Sequence, residues 1–302
     1  MARRTLPLSL STLLLLATAG SASSAECEPG ARIPVDGERH ARLGAISSQA
    51  DPARSALDRK VFELGAMSGG YFKALTLEPK YLDLPVSAFL LPEPPENSSA
   101  RTAAELRELH RLAREQRSPA AVERALELAG VYYRPLATPS DPDWAALRKN
   151  LFFTGRCVDD RLNPETLPET ASLMARVWSD ASFYLWALKF RYDRIRPYRL
   201  DPTLEAISDP NFPAYPSGHS SNSYVAALVL AELLPEKRQA LLANAAELAF
   251  SREILGVHYA SDSESGERFG HAFVERLLQS PRFRADLELA KKELREARKG
   301  DG

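Results

Sequence analysis

Apolar residues recur at spacings of three and four through most of the chain after about residue 50. Such stripes run through Leu106, Leu109 and Leu112, through Val122, Ala125, Leu126 and Ala129, and through Leu173, Val177 and Leu188. This spacing is typical of amphipathic helices that bury one face. The alternating pattern of strands is nearly absent. The sequence therefore predicts an all-α fold, a compact single-domain helical bundle.

Turn and capping residues divide these helices. Ser118 before Pro119 predicts one helix start, and Ser140 followed by Asp141 and Pro142 predicts another. The proline-rich segment 90–95 cannot be helical throughout and is expected to be a surface loop. A last, heavily charged helix is expected over 281–299.

The N-terminus has the pattern of a secretory signal. Two arginines, Arg3 and Arg4, precede an apolar run at residues 6–19, and small residues follow. We expect residues 1–25 to be a signal peptide and residues 26–302 to be the mature domain, periplasmic or secreted. A retained membrane anchor is the alternative, although the run is shorter than the roughly 20 apolar residues that a spanning helix needs.

Composition limits the partners of the mature domain. The 302 residues include 39 basic and 40 acidic side chains, so the net charge gives no reason to expect a nucleic acid partner. No other stretch approaches membrane-spanning length, so stable membrane insertion is not expected. The only two cysteines, Cys27 and Cys157, could form one disulfide in an oxidising compartment or remain free thiols.

The first segment with candidate chemistry contains Lys189, Arg196 and Pro197. The two cations are seven residues apart, so on a continuous helix they would share one face. Pro197 disfavours helix at Arg196 and would place that arginine at the helix end. A solvated pair of surface cations is the alternative.

The second segment is Pro216, Ser217, Gly218 and His219, followed by an apolar run. A glycine at a helix start lets backbone N–H groups approach an anion closely. Ser217 adds a hydroxyl donor and His219 a group that titrates near neutral pH. A nucleophilic serine is the competing hypothesis, but the G-x-S-x-G pattern of such hydrolases is missing.

The third segment contains Arg252, His258 and Asp262. A histidine and an aspartate four residues apart share one helical face, so the carboxylate could orient the imidazole and leave one ring nitrogen bare as a nucleophile. A structural hydrogen bond is the alternative. A metal site formed by His219, His258 and Asp262 is disfavoured because H-E-x-x-H and clustered cysteines are lacking.

Together the three segments resemble the signature of the type 2 phosphatidic acid phosphatase (PAP2) superfamily, which includes bacterial class A acid phosphatases and vanadium haloperoxidases. A lysine, six residues and Arg-Pro are followed by Pro-Ser-Gly-His, and then by Ser-Arg, five residues, His, three residues and Asp. The chain looks most like the soluble class A enzymes from about Lys189 to Lys292. Two departures, Ala214 and Glu93, put substrate preference in doubt.

The resemblance implies hydrolysis of small-molecule phosphate monoesters through a phosphohistidine, without metal or other cofactor, by a possible homo-oligomer. The implied catalytic residues are His258 as nucleophile, His219 as acid and base, and Asp262 as the partner of His258. The implied phosphate-binding residues are Lys189, Arg196, Ser217, Gly218, His219 and Arg252. Phosphotransfer or diphosphate hydrolysis stays open, as do a vanadate-dependent haloperoxidase and a non-catalytic phosphate-binding protein.

Overall fold

The computed structural model describes residues 32–67 and 71–300. These ranges contain helices, turns and loops but no strand, which confirms the all-α prediction. Their α-helices are α1 (Arg39–Gly44), α2 (Ala100–Glu115), α3 (Pro119–Ala129), α4 (Trp144–Asn150), α5 (Pro168–Tyr192), α6 (Pro197–Leu200), α7 (Gly218–Leu233), α8 (Arg238–Ile254), α9 (Ala260–Gln279) and α10 (Pro281–Gly300).

Helix α7 lies at the centre of the bundle. Its apolar residues, from Tyr224 to Leu233, are buried on almost every side, as expected for a helix without a polar face. Helices α8 and α9 pack along it, and α5 closes another side. The approach of α9 is close because it presents Gly266 and Gly270 to α7. The core thus holds in place the first turn of α7, where the second predicted segment lies.

The capping predictions are largely confirmed. Ser118 caps α3, its Oγ accepting a hydrogen bond from the Ala121 N–H at 3.2 Å. The next helix starts slightly later than the polar run at 140–142 suggests, with Asp143 at its N-cap. Segment 90–95 is a loop, and α10 continues to Gly300.

The segment after residue 32 lies over the domain and is partly helical. Helix α1 buries Arg39, whose Nη2 donates to Glu253 Oε1 at 2.7 Å. The Ile33 N–H donates to Glu247 Oε1 at 3.0 Å. Two buried carboxylates on α8 therefore hold this segment in place.

Two expectations concern residues outside the described ranges. The signal peptide, residues 1–25, lies wholly outside them. Cys157 lies within the described ranges and is disulfide-bonded. Cys27, the other cysteine of the sequence, lies outside them. Among the helices that are described, none combines the length and apolar character needed to cross a bilayer.

Candidate active site

A cavity of about 680 Å³ opens between α5, α7, α8 and the loop before α7. Six of the predicted site residues meet at one end of it. We call this end the cationic cup; it is formed by Lys189, Arg196, Arg252, Gly218, His219 and His258. Ser217 and Asp262 lie directly behind it and are fully buried. The structure therefore brings together all the side chains that the three segments contribute.

Lys189 and Arg196 converge, although not on one continuous helix. Helix α5 ends at Tyr192, and Asp193 adopts the left-handed conformation with φ of 32°. Arg196 lies beyond this break as the N-cap of α6. The expectation of a shared helical face was therefore wrong. The two cations meet because the chain turns back at Asp193, and both donate to the Pro213 carbonyl, at 2.8 and 3.3 Å.

The Lys189 ammonium uses all three of its donors on the loop before α7. Nζ lies 2.8 Å from the Pro213 carbonyl oxygen, 3.2 Å from that of Ala214 and 2.7 Å from that of Pro216. An ammonium has three N–H groups and no more. Lys189 therefore holds this loop while placing a positive charge beside the cavity.

The other two cations are buried without a carboxylate. Arg196 donates to the carbonyls of Phe212 at 2.9 Å and Val257 at 2.8 Å. Arg252 is 5% exposed, and its Nε and Nη1 have no hydrogen-bond partner among the described residues. Burial lowers the pKa of Arg196 to about 10, and burial together with Arg196 lowers that of Arg252 to about 9. Both remain cationic at neutral pH.

Ser217 and Gly218 form the first turn of α7 below these cations. Ser217 is the N-cap, and its backbone N–H donates to the Asp262 carbonyl at 2.9 Å. The first N–H groups of a helix have no intrahelical acceptors, and the helix dipole adds partial positive charge there. The end of α7 thus supplies the anion-binding geometry expected of the second segment.

His219 lines the cavity as a neutral imidazole. Its Nε2 lies 3.0 Å from the Ala129 carbonyl oxygen, which can only accept, so Nε2 carries the proton. Burial, and next the charge of Arg252, lower the pKa of His219 to about 3. Nδ1 is therefore the nitrogen left for proton transfer with a bound ligand.

The hydrogen bonds of His258 fix its tautomer. Nδ1 lies 2.9 Å from Asp262 Oδ2, and Nε2 lies 2.9 Å from Arg196 Nη1. Because a guanidinium only donates and a carboxylate only accepts, Nδ1 carries the proton and Nε2 is unprotonated, with its lone pair accepting the hydrogen bond of Arg196. Burial, followed by the charge of Arg196, holds the pKa of His258 well below its usual value. The nitrogen predicted for a nucleophile is therefore oriented and unprotonated, but it is not bare, because it accepts a hydrogen bond from Arg196.

The His258–Asp262 contact is confirmed, but its geometric reason differs from the predicted one. Helix α9 begins at Ala260, so His258 precedes the helix and Asp262 lies in its first turn. Asp262 Oδ2 also accepts the N–H of Tyr259 at 3.0 Å in a capping box. The pair is therefore set by the helix cap and not by a shared helical face.

The sequence reasoning missed a buried network behind this pair. Arg194 Nη1 donates to Asp262 Oδ1 and to Ser261 Oγ, each at 2.7 Å. Glu105, on α2, accepts the Ser261 N–H and hydroxyl, each at 2.9 Å, and lies 3.5 Å from Arg194 Nη2. Arg194 could have been suspected because it lies between Lys189 and Arg196. Glu105 gave no signal, since it is 89 residues from Arg194 and looks like one more acid of a charged helix.

Within residues 32–67 and 71–300, no three His, Cys, Asp or Glu side chains are grouped as metal ligands would be. His219 and His258 are instead surrounded by cations, and Asp262 is already bonded to Arg194 and His258. What this end of the cavity can bind is an anion with several oxygens.

Comparison with known proteins agrees with this chemistry. Residues 173–284 match the PAP2 superfamily. The non-specific acid phosphatase of Salmonella typhimurium is 33% identical over 144 residues, covering 45% of this chain and 57% of that protein. That of Providencia stuartii is 31% identical over 138 residues, covering 44% and 56%. The aligned stretch thus spans less than two thirds of these relatives' length.

A solved structure extends the likeness in fold. A bacterial vanadium-dependent iodoperoxidase superposes with a TM-score of 0.55 at 21% identity, covering 80% of this chain and 64% of the other. The two proteins share the helical architecture. The stretch that matches the PAP2 superfamily, residues 173–284, contains every predicted residue of the site.

Proposed function

We propose that this protein hydrolyses phosphate monoesters through a phosphohistidine formed on His258. The observation that carries the proposal is the cationic cup, in which buried cations without carboxylate partners surround one unprotonated imidazole nitrogen. Buried charge is costly unless it is paired, so such a site is built for an anion. The acid phosphatase names of the curated relatives support the same activity.

In the first step, His258 Nε2 attacks phosphorus and the bond to the ester oxygen breaks. Arg196, whose Nη1 holds Nε2 in the free protein, transfers this hydrogen bond to a phosphate oxygen. Arg252 and the first turn of α7 neutralise the other oxygens in the transition state. Asp262 stabilises the imidazolium character that develops on His258.

His219 serves as the acid and then the base. A bound dianion opposes the effect of Arg252 on its pKa and favours the imidazolium, which gives its proton to the leaving alkoxide. Neutral His219 then removes a proton from water, which attacks the phosphohistidine. The products are the alcohol and inorganic phosphate, and His258 returns to its starting state.

The decisive experiment replaces His258 by Ala and measures turnover of p-nitrophenyl phosphate. Removal of the nucleophile should lower kcat by at least about a thousandfold. The purified wild-type enzyme, quenched during turnover, should carry acid-labile phosphate that the variant lacks. His271→Ala, at an exposed position outside the cavity, is the control and should keep full activity. Turnover by the His258 variant at the wild-type rate would refute the mechanism.

Four assays separate the competing functions. Dialysis against EDTA should leave phosphatase activity intact, whereas vanadate should inhibit it competitively as a transition-state analogue. Bromide oxidation with vanadate and peroxide would instead identify a haloperoxidase. Tight phosphate binding without any turnover would identify a binding protein.

We also propose that the protein is exported, on the strength of the N-terminal charge and apolar pattern. Expression of the full chain in a bacterium, followed by N-terminal sequencing of the periplasmic fraction, should give a mature protein that begins at Glu26. Recovery of uncleaved chain in the cytoplasm or membrane would contradict this.

A further inference from the structure

The cavity continues far beyond the cationic cup. Its lining follows one face of α5 from Lys189 through Leu185 and Ser182 to Trp178. Trp178 and Lys189 are 11 residues apart, which corresponds to about 16 Å along the helix at about 1.5 Å per residue. The volume of about 680 Å³ would hold roughly 20 water molecules at about 30 Å³ each, so a phosphate group fills only a small part of it.

The wall next to the cup is aromatic. Tyr71, Trp186 and Phe212 form a triangle with ring-centroid separations of 4.9, 5.0 and 5.3 Å. Phe212 also contacts the cup directly, because Lys189 Nζ and Arg196 Cζ lie 5.4 and 4.7 Å from its ring centroid. A group that extends from a phosphate in the cup along this wall therefore contacts these three rings.

The far part of the cavity is also largely apolar. Tyr133 and Trp178 face each other there with centroids 6.2 Å apart, and Leu136 and Leu185 complete the walls. Two charged side chains at the edge have partners of their own: Arg134 is paired with Asp141 at 3.4 Å, and Asp209 accepts the Tyr198 hydroxyl at 2.7 Å. Lys73 and the polar groups of Ser208 and Asn222 also belong to the lining, but apolar side chains make up most of it.

We propose that this apolar chamber, formed by Tyr71, Trp186, Phe212, Tyr133 and Trp178, selects phosphate monoesters with a long apolar leaving group that ends in an aromatic ring. The inference rests on the proposed function and adds the substrate class. If the phosphate occupies a length of the cavity equal to one helical turn of α5, about 11 Å of the lining along α5 remains for the leaving group. Burial of apolar surface and ring contacts then favour such an ester over a polar one.

The test uses primary alkyl esters, so that the chemistry of the leaving oxygen is the same throughout. We would compare kcat/KM for 2-phenylethyl, 3-phenylpropyl and 4-phenylbutyl phosphate with that for glycerol 3-phosphate. Each added methylene should raise kcat/KM by about two- to fourfold while the chamber has room. Equal or higher kcat/KM for glycerol 3-phosphate would overturn the proposal.

A matched pair of tryptophan variants locates the effect. Trp186→Ala should lower the ratio of kcat/KM for 3-phenylpropyl phosphate to that for glycerol 3-phosphate by about tenfold. Trp186→Phe should restore most of the ratio. Trp144→Ala removes another half-buried tryptophan that does not line the cavity, and it should leave the ratio unchanged. An unchanged ratio in Trp186→Ala, with vanadate inhibition intact, would refute the chamber.

The outcomes distinguish the two proposals. Absence of turnover with every ester would refute the proposed function. Good turnover of all esters without preference would leave the phosphatase mechanism standing and refute only the chamber.

Discussion

His219 and His258 are held neutral by burial and by the cations next to them. For His219 the pKa falls from 6.5 in the unfolded chain to about 3 in the folded protein. Between these values the unfolded chain binds the proton and the folded protein does not. This histidine therefore costs stability progressively as the pH falls below 6.5.

Replacement of His219 by Gln should remove this dependence. Relative to wild type, the variant should gain about 1.4 kcal/mol of unfolding free energy for each pH unit below 6.5. Urea denaturation at pH 6.5, 5.5 and 4.5 in phosphate-free buffer measures the difference. If the unfolding free energies of the two proteins changed in parallel with pH, His219 would titrate in the folded protein near its ordinary pKa.

Glu105 is expected to position the catalytic pair without touching substrate. Its carboxylate fixes Ser261 and neutralises Arg194, which in turn holds Asp262. Glu105→Gln removes the negative charge and one hydrogen-bond acceptor. His258 should then no longer be held in the orientation needed for attack. We expect kcat to fall by roughly tenfold to hundredfold with KM nearly constant.

Glu264→Gln is the matched control. Glu264 pairs with Arg101, as Glu105 does, but it bonds neither Ser261 nor Arg194. It should keep wild-type kcat. A rise of KM in Glu105→Gln without a change of kcat would contradict the positioning role.

At the scale of elements, the contact between α7 and α9 depends on the lack of side chains at two points. A Cβ on Gly270 would lie 2.7 Å from Tyr224 Cβ, and one on Gly266 would lie 2.8 Å from the Ser221 nitrogen. Neither backbone atoms nor a Cβ can move aside without shifting a helix. Because α7 begins and α9 begins at the site, this packing also fixes the distance between Ser217 and Asp262.

Gly270→Ala should therefore destabilise the protein by about 1–3 kcal/mol, the usual cost of overpacking. Gly44→Ala is the control, since nothing lies within 4 Å of a Cβ built there. Chemical denaturation of both variants measures the effect. Equal stabilities would show that α9 can move away from α7 at little cost.

The elements themselves were largely predictable. The three-four apolar spacing of Leu173, Val177 and Leu188 corresponds to one long buried helix, and Ser118 caps α3 as its sequence suggests. The end of α5 was not predictable, because Asp193 takes a left-handed conformation that spacing rules do not reveal. The cup residues were identifiable because the spacing of their three segments together resembles a family signature, whereas each segment alone had a structural alternative. The chamber was not, because Trp186 and Phe212 look like ordinary core residues in sequence.

At the scale of the whole molecule, a net charge near −1 conceals three buried cations in one place. Repulsion within the cup and the lost hydration of its charges weaken the folded state. An anion that binds there relieves both. Ligand should therefore stabilise the fold as well as occupy the site.

Vanadate at a hundredfold excess over its Kd should raise the unfolding free energy by about 2.7 kcal/mol, or Tm by about 5 °C. Differential scanning fluorimetry measures the shift, with sodium chloride of equal ionic strength as the reference. Arg252→Ala should lose most of it. A shift of the same size with chloride would indicate a general salt effect and contradict a specific anion site.

The position of Glu105 also bears on how far this active centre could be transplanted. The stretch 173–284 that matches the superfamily contains every group that would touch phosphate, yet the carboxylate that steadies Ser261 and Arg194 comes from α2, outside that stretch. A fragment that begins at Leu173, or a graft of 173–284 onto another helical scaffold, would contain the groups proposed to contact phosphate. It would lack the carboxylate that helps to orient them. Part of the network behind His258 and Asp262 is thus supplied by a helix outside the stretch that matches the superfamily.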